Sequence, residues 1–217
     1  MNKLAIAILI FALPCVSSAQ SNRSETWDAS LSVIYQDSKS LGGGGGSSLD
    51  IDSDIGFGFN FAYNWSDKLA FGMDLEFLNP KYEALLIDET GANPDLNIRH
   101  DMSQVNTRFK GIYNLSEGPI TPYLEAGIGW SYFDSKVIDG PPVTGCYWHP
   151  YWGYICSNFY NTFDETLFSY GAGVGLRYEL GFGGYIRGSY NYWEMDGLGS
   201  AGDPAFQAFR LEFGRSF

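Results

Sequence analysis

Few side chains in this sequence have both the type and the spacing that chemistry requires. His100 and His149 are its two histidines. A nucleophilic triad needs a histidine held by an acid and set beside a Ser or Cys. Both histidines fall in long stretches without alternation, so no catalytic set is expected. Asp50, Asp52 and Asp54, followed by Gly56, suggest a calcium loop. Such a loop places glycine at its sixth position and a bidentate acid at its twelfth; counted from Asp50 these are Ile55 and Phe61. The three acids instead alternate with Leu49, Ile51 and Ile55, as one face of a strand does. The Gly42–Gly46 run lacks the lysine and following helix of a phosphate-cradling loop. No metal and no cofactor is implied.

The densest cluster of unusual residues is Cys146-Tyr147-Trp148-His149-Pro150-Tyr151-Trp152-Gly153-Tyr154-Ile155-Cys156. Tyr147, Trp148, His149, Tyr151, Trp152 and Tyr154 form a candidate external contact surface for a host molecule, a sugar, a partner protein or lipopolysaccharide. Tyr and Trp give large contact area with few rotamers. The alternative, and the stronger expectation, is that these rings pack on one another and cap what lies beneath, because exposed aromatics are a liability. Cys146 and Cys156 read as a disulfide. The third cysteine, Cys15, lies in an N-terminal stretch with the layout of a secretory signal: Met1-Asn2-Lys3, an apolar run from Leu4 to Leu13, then Ser17-Ser18-Ala19. Removal of residues 1–19 leaves an even cysteine pair in an oxidising compartment. A lipid-bearing Cys15 is disfavoured by Pro14, where a small residue is needed.

A second set of charges is spread over the chain. Asp74, Glu76, Glu125, Glu179 and Glu212 face Arg108, Lys110, Arg177, Arg187 and Arg210 in number, five of each sign, although the chain carries 25 acids against 13 Lys and Arg. All ten sit at alternate positions of period-two segments. A solvated face would carry the acidic bias of the whole chain; balance fits a narrow interior where an unpaired ion is costly. The net charge of −12 also excludes a nucleic-acid partner, which needs a basic face.

Eight such segments position these charges. They run through Trp27–Tyr35, Leu49–Tyr63, Leu69–Phe77, Gln104–Tyr113, Leu124–Tyr132, Phe168–Glu179, Ile186–Tyr192 and Ala208–Phe217. The connections between them alternate long and short, beginning and ending with a long one: Lys39–Ser48, Asn64–Lys68, Pro80–Asp101, Asn114–Ile120, Lys136–Asp164, Gly181–Gly184 and Asp196–Pro204. That regularity is expected of an all-β, eight-stranded antiparallel up-and-down transmembrane β-barrel with both termini on the short-turn side. Residues 20–217 would form one barrel domain, with Gly42–Gly46 a flexible loop. Mean hydropathy is −0.14, which a barrel permits because only alternate residues meet lipid.

A soluble lipocalin-type barrel is the structural rival, and it would put the apolar set inside. Here the polar set is rich in glycine, which makes room for arginine in an interior only as wide as side chains. Aromatics fall towards the ends of the apolar set (Trp27, Tyr35, Tyr63, Trp65, Tyr113, Tyr123, Tyr132, Tyr170 and Tyr178), as in two headgroup girdles.

The last nine residues, Phe209-Arg210-Leu211-Glu212-Phe213-Gly214-Arg215-Ser216-Phe217, resemble the C-terminal targeting strand of Gram-negative outer-membrane proteins. Phe209, Leu211, Phe213 and Phe217 supply its outward apolar set, and Arg215 departs from it. With the eight-strand layout, the chain resembles the barrel domains of the outer membrane protein A and opacity-protein superfamily. The resemblance implies a monomer in the cell outer membrane, surrounded by lipid and lipopolysaccharide and handled by the barrel-assembly machinery during biogenesis. It implies a structural or adhesion-like role through external loops, with a small-solute or hydrophobic-molecule pore as the alternative. A lipid A-modifying enzyme is a second alternative, but such barrels carry His-Ser-Glu sets on the lipid-facing wall and this chain has none in its segments.

Overall fold

The computed structural model describes residues 23–87, 95–197 and 203–217. The expected signal segment, 1–19, lies outside them.

Eight strands close into one antiparallel barrel. In chain order its staves are β1 (Thr26–Gln36), β4 (Asp54–Asn64), β5 (Leu69–Leu78), β8 (Ser103–Asn114), β9 (Ile120–Ile138), β12 (Thr162–Glu179), β13 (Gly184–Met195) and β14 (Ala205–Ser216). Among the described residues six further strands belong to the long connections: β2 (Lys39–Gly42), β3 (Ser48–Ile51), β6 (Lys81–Leu86), β7 (Leu96–Asp101), β10 (Val143–His149) and β11 (Gly153–Phe159). The barrel closes where β1 pairs with β14, Leu31 facing Phe213 and Ala29 facing Arg215. Trp27 and Phe217 exchange backbone hydrogen bonds of 2.8 and 2.9 Å, so the last residue completes the seam.

Strand pairing satisfies every rung of a closed wall without an edge, the one β solution open to a chain in hydrocarbon. The two faces of the wall differ as the alternation requires. Leu31 is 60% exposed and Phe57 54%, whereas Glu76 and Glu212 are 1% exposed. The apolar set is outside and the charged set inside, which rules out a lipocalin-type interior. Phe209, Leu211, Phe213 and Phe217 all face outward. Gly129 and Gly175 show why the inner face needs glycine. A Cβ at Gly129 would press on Arg108, and one at Gly175 would overlap the Tyr123 ring.

Three details differ from the expectation. The second segment is not one strand: the chain turns at Asp52-Ser53, so Leu49 and Ile51 belong to β3 while Ile55 begins the lipid-facing set of β4. Period-two parity survives the turn, which is why the sequence hides it. The first two long connections are themselves pleated: β2, β3, β6 and β7 form a four-stranded sheet on the long-loop side, and β10 and β11 form a separate hairpin. Tyr123 is no girdle residue; it shares the inward parity of Glu125 and is buried in the interior.

Candidate functional site

Viewed along its axis, the interior is layered. Nearest the short turns, Arg177 binds Asp28 and, through Nε at 2.6 Å, Glu179. Arg23 closes this layer, with Nε 2.8 Å from Glu179 and Nη2 donating to Thr121 at 2.6 Å. Glu179 is the last residue of its strand. Arg23 precedes the first strand, and Asp28 stands on the inner face of β1; sequence reasoning missed both. Asp28 was legible from its alternation with Trp27 and Ala29, whereas nothing in the pattern marks Arg23.

The central layer joins the remaining eight predicted charges. Lys110 Nζ lies 2.9 Å from Asp74 and 3.0 Å from Glu125. Arg210 Nη1 reaches Asp74 at 2.6 Å, and its other nitrogen binds Glu76. Arg108 meets Glu76 at 2.7 Å and Arg187 meets Glu212 at 2.6 Å. Arg108 also stacks 4.2 Å from the Trp193 ring centroid, and Arg177 3.9 Å from Tyr185. Among the described residues each layer is neutral by itself, two of each sign in the first and four of each in the second. Neutrality within a layer is what burial demands, because a lone ion at low dielectric has no solvent to answer it.

Above the charges comes a layer of amides. Asn106 donates to Glu76 at 3.0 Å, Gln104 to Asn106 at 3.1 Å, and Gln36 to Gln104 at 3.1 Å. Above the amides the interior turns apolar. Ile51, Tyr82, Met102, Phe133, Leu167, Met195 and Phe206 form one buried cluster, with Leu49, Ala84, Ile98 and Val137 packed against it. This lid is built where the long connections meet the strand ends. Outside it Lys136 donates to Asp101 at 3.1 Å, and Asn97 at 2.8 Å and Arg99 at 2.6 Å donate to Glu83; these bonds hold both carboxyls below their ordinary range.

The matching family model is that of the outer membrane protein beta-barrel domain, and it matches residues 5–217. The chain belongs to that family. The family places it in the Gram-negative outer membrane, where short turns face the periplasm and long loops the outside. No curated protein matches the sequence. Among solved structures, OprG of Pseudomonas aeruginosa is 14% identical with a TM-score of 0.54, covering 91% of this chain and 98% of that one. Ail of Yersinia pestis, solved with the heparin analogue sucrose octasulfate, is 14% identical with a TM-score of 0.51, covering 89% and 99%. Neisserial surface protein A is 13% identical with a TM-score of 0.51, covering 88% and 95%. At such identities these likenesses show the shared barrel fold.

The aromatic loop departs most from expectation. Cys146 and Cys156 are disulfide-bonded and stand opposite each other in the β10–β11 ladder. The rings they bracket do not cap the barrel by packing together. Trp148 is 69% exposed, Tyr151 87% and Trp152 76%. Among the described contacts of these rings only His149 and Tyr151 approach, at 5.9 Å between centroids. The capping task is done by the lid, which frees the hairpin. His100 and His149 stand apart in different strands, His100 facing Asp101 and His149 accepting from the Tyr151 backbone. Asp50 and Asp52 are exposed, and Asp54 accepts a hydrogen bond from the Asn79 backbone at 2.7 Å. Among the described residues no group of His, Cys, Asp or Glu is placed to hold a metal ion.

Proposed function

We propose that this protein is an exported, monomeric outer-membrane barrel that works as a surface-recognition element, with the β10–β11 hairpin as its contact. Residues 1–19 serve as its cleaved signal, and residues 20–217 form the mature barrel. It carries out no reaction of its own. The observation that carries this reading is the exposure of five large aromatics on a disulfide-tied hairpin, beside an interior filled by paired charges. A sealed interior argues against a small-solute pore, and the separated histidines argue against lipid A editing.

The partner's chemistry follows from charge. Residues 140–161 contain no Lys, Arg, Asp or Glu. The other extracellular segments (described residues of 37–54, 81–101 and 194–203, and the flanks 134–139 and 162–165) carry fourteen carboxylates against four bases. A polyanion such as the octasulfate bound to Ail meets repulsion here. An uncharged surface that offers apolar patches, such as the faces of neutral sugar rings or an aromatic-rich protein patch, fits better.

The test uses protein reconstituted in lipid nanodiscs and cells displaying it. Nanodiscs are applied to an array of neutral and sulfated glycans, and cells to epithelial monolayers. W148A/W152A is expected to lower retention on neutral glycans or monolayers at least tenfold. Equal retention of the variant, or preference for the sulfated glycans, would overturn the reading. Planar bilayers are expected to stay silent; stable conductance steps would favour a pore.

A further inference from the structure

Between the lid strands and the ends of β9, β12 and β14 lies a cavity of about 420 Å³, open to the extracellular side. Its walls are Leu49, Ile51, Tyr82, Met102, Phe133 and Phe206. Packed interiors hold few voids larger than a water molecule, whereas this volume lies in the range of small-molecule sites. The cavity has a floor. Gln36 and Gln104 exchange hydrogen bonds of 3.1 and 3.2 Å beneath the lid, and Trp193 covers Arg108. It is a blind pocket, not the mouth of a channel.

The mouth carries charge of one sign. Asp164 and Glu165 line it together with Phe163 and Ser135. Glu165 is paired in register with Phe133, so the carboxylate shares the face that the ring presents to the cavity. It takes part in no hydrogen bond or ion pair among the described residues. Asp164, one residue earlier, turns to the opposite face, where it stands across from Asp134 and shares a hydrogen bond with Tyr132. Lys136, the neighbouring base, is turned to Asp101. Among the described residues no basic side chain lines the cavity. Tyr82, Phe133, Phe163 and Phe206 add aromatic faces, which attract a cation.

We infer that this cavity is a binding site for a lipophilic ammonium compound, its apolar body among Ile51, Met102, Phe133 and Phe206 and its cation at Glu165. The excess of carboxylates on the surrounding loops raises the local concentration of such a cation. The site does not involve the aromatic hairpin and stands or falls independently of it.

The experiment compares 1-naphthylmethylamine with the neutral 1-naphthylmethanol by isothermal titration against the protein in zwitterionic nanodiscs, with empty nanodiscs as the blank. The amine is expected to bind saturably and about fivefold more tightly than the alcohol, the size of one cation–π or ion-pair contact at a partly exposed site. E165Q is expected to reduce the amine to the affinity of the alcohol and leave the alcohol unchanged. L49W, which fills the cavity, is expected to abolish both, while W148A/W152A changes neither. Folding of each variant is checked by heat-modifiable mobility. Absence of saturable binding above the blank, equal affinity for the two compounds in the parent protein, or amine binding that survives both E165Q and L49W would overturn the proposal.

Discussion

The interior of this barrel and the lid above it solve opposite problems with the same strands. Along β14 the inward positions read Glu212, Arg210, Ala208 and Phe206; along β8 they read Lys110, Arg108, Asn106, Gln104, and the chain then enters the lid at Met102. Within the hydrocarbon span the outside is greasy and the inside charged. Beyond it the inside is greasy and the outside acidic, as in a soluble domain. The solvent sets the arrangement, and the inward parity of each strand simply carries a different residue type once lipid gives way to water. Burial is stabilised by ion pairing in one region and by apolar contact in the other. The two regions should therefore answer differently to the same kind of insult.

The largest difference is expected from a single missing charge. Arg210 reaches Asp74 and Glu76 from β14 and spans the barrel centre. R210M leaves these carboxylates short of a partner, at a cost of about 3–5 kcal/mol. Urea unfolding in lipid vesicles, followed by tryptophan fluorescence, measures it. K110M/E125L removes one charge of each sign from the same layer and is expected to cost less than R210M, despite changing two residues. If the neutral pair deletion proved the more damaging, charge balance would not be what holds the interior.

Much of this was legible in the sequence, for a physical reason. Hydrocarbon imposes a strict period of two on every stave, and ten charges placed by that period all fall in the two paired layers. What escaped has equally physical causes. Arg23 reaches the interior from a segment with no periodicity. The turn at Asp52-Ser53 keeps parity, so Ile51 reads like Ile55 although one packs in the lid and the other faces lipid. The strands β6 (KYEALL) and β7 (LNIRHD) are short and charged, and at the solvent-exposed edge, where β7 lies, alternation is weak. The exposure of Trp148 and Trp152 could not be foreseen without knowing that a separate sheet caps the barrel.

The lid is expected to fail alone. F133A enlarges the cavity that Phe133 lines and strips contacts from the buried cluster, at a cost of about 3 kcal/mol. The damage should stay local, because the cluster lies above the amide layer. Limited proteolysis should cut residues 81–101 faster in F133A, while the heat-modifiable band stays in place. Loss of that band would show that lid and barrel are one cooperative unit.

The hairpin is the next step down. C146S releases a closed loop of ten-residue separation, worth about 2–3 kcal/mol on loop-closure models. The effect belongs to the hairpin: protease access at 147–155 rises and glycan or monolayer retention falls. The barrel unfolding midpoint in urea should be unchanged. A shifted midpoint would tie the hairpin to the wall more closely than its separate ladder suggests.

The smallest expected effect concerns the exposed rim of the lid. Asp101 sits below its ordinary value of 3.8 because Lys136 donates to it and attracts it. A carboxyl with a depressed folded value stabilises the native state above 3.8, and the contribution disappears as pH falls through the folded value. The pair is exposed, so solvent screening keeps the contribution small. The lid edge should therefore loosen in acid and not in base, and only below the usual carboxylate range. Carboxyl-carbon NMR of Asp101 across that range reads it directly, and K136M should return its midpoint towards 3.8. An Asp101 midpoint that K136M leaves unmoved would show that the β7–β9 contact at the rim is held by something other than this pair, and the acid sensitivity would then have to come from Glu83 and its bonds to Arg99 and Asn97.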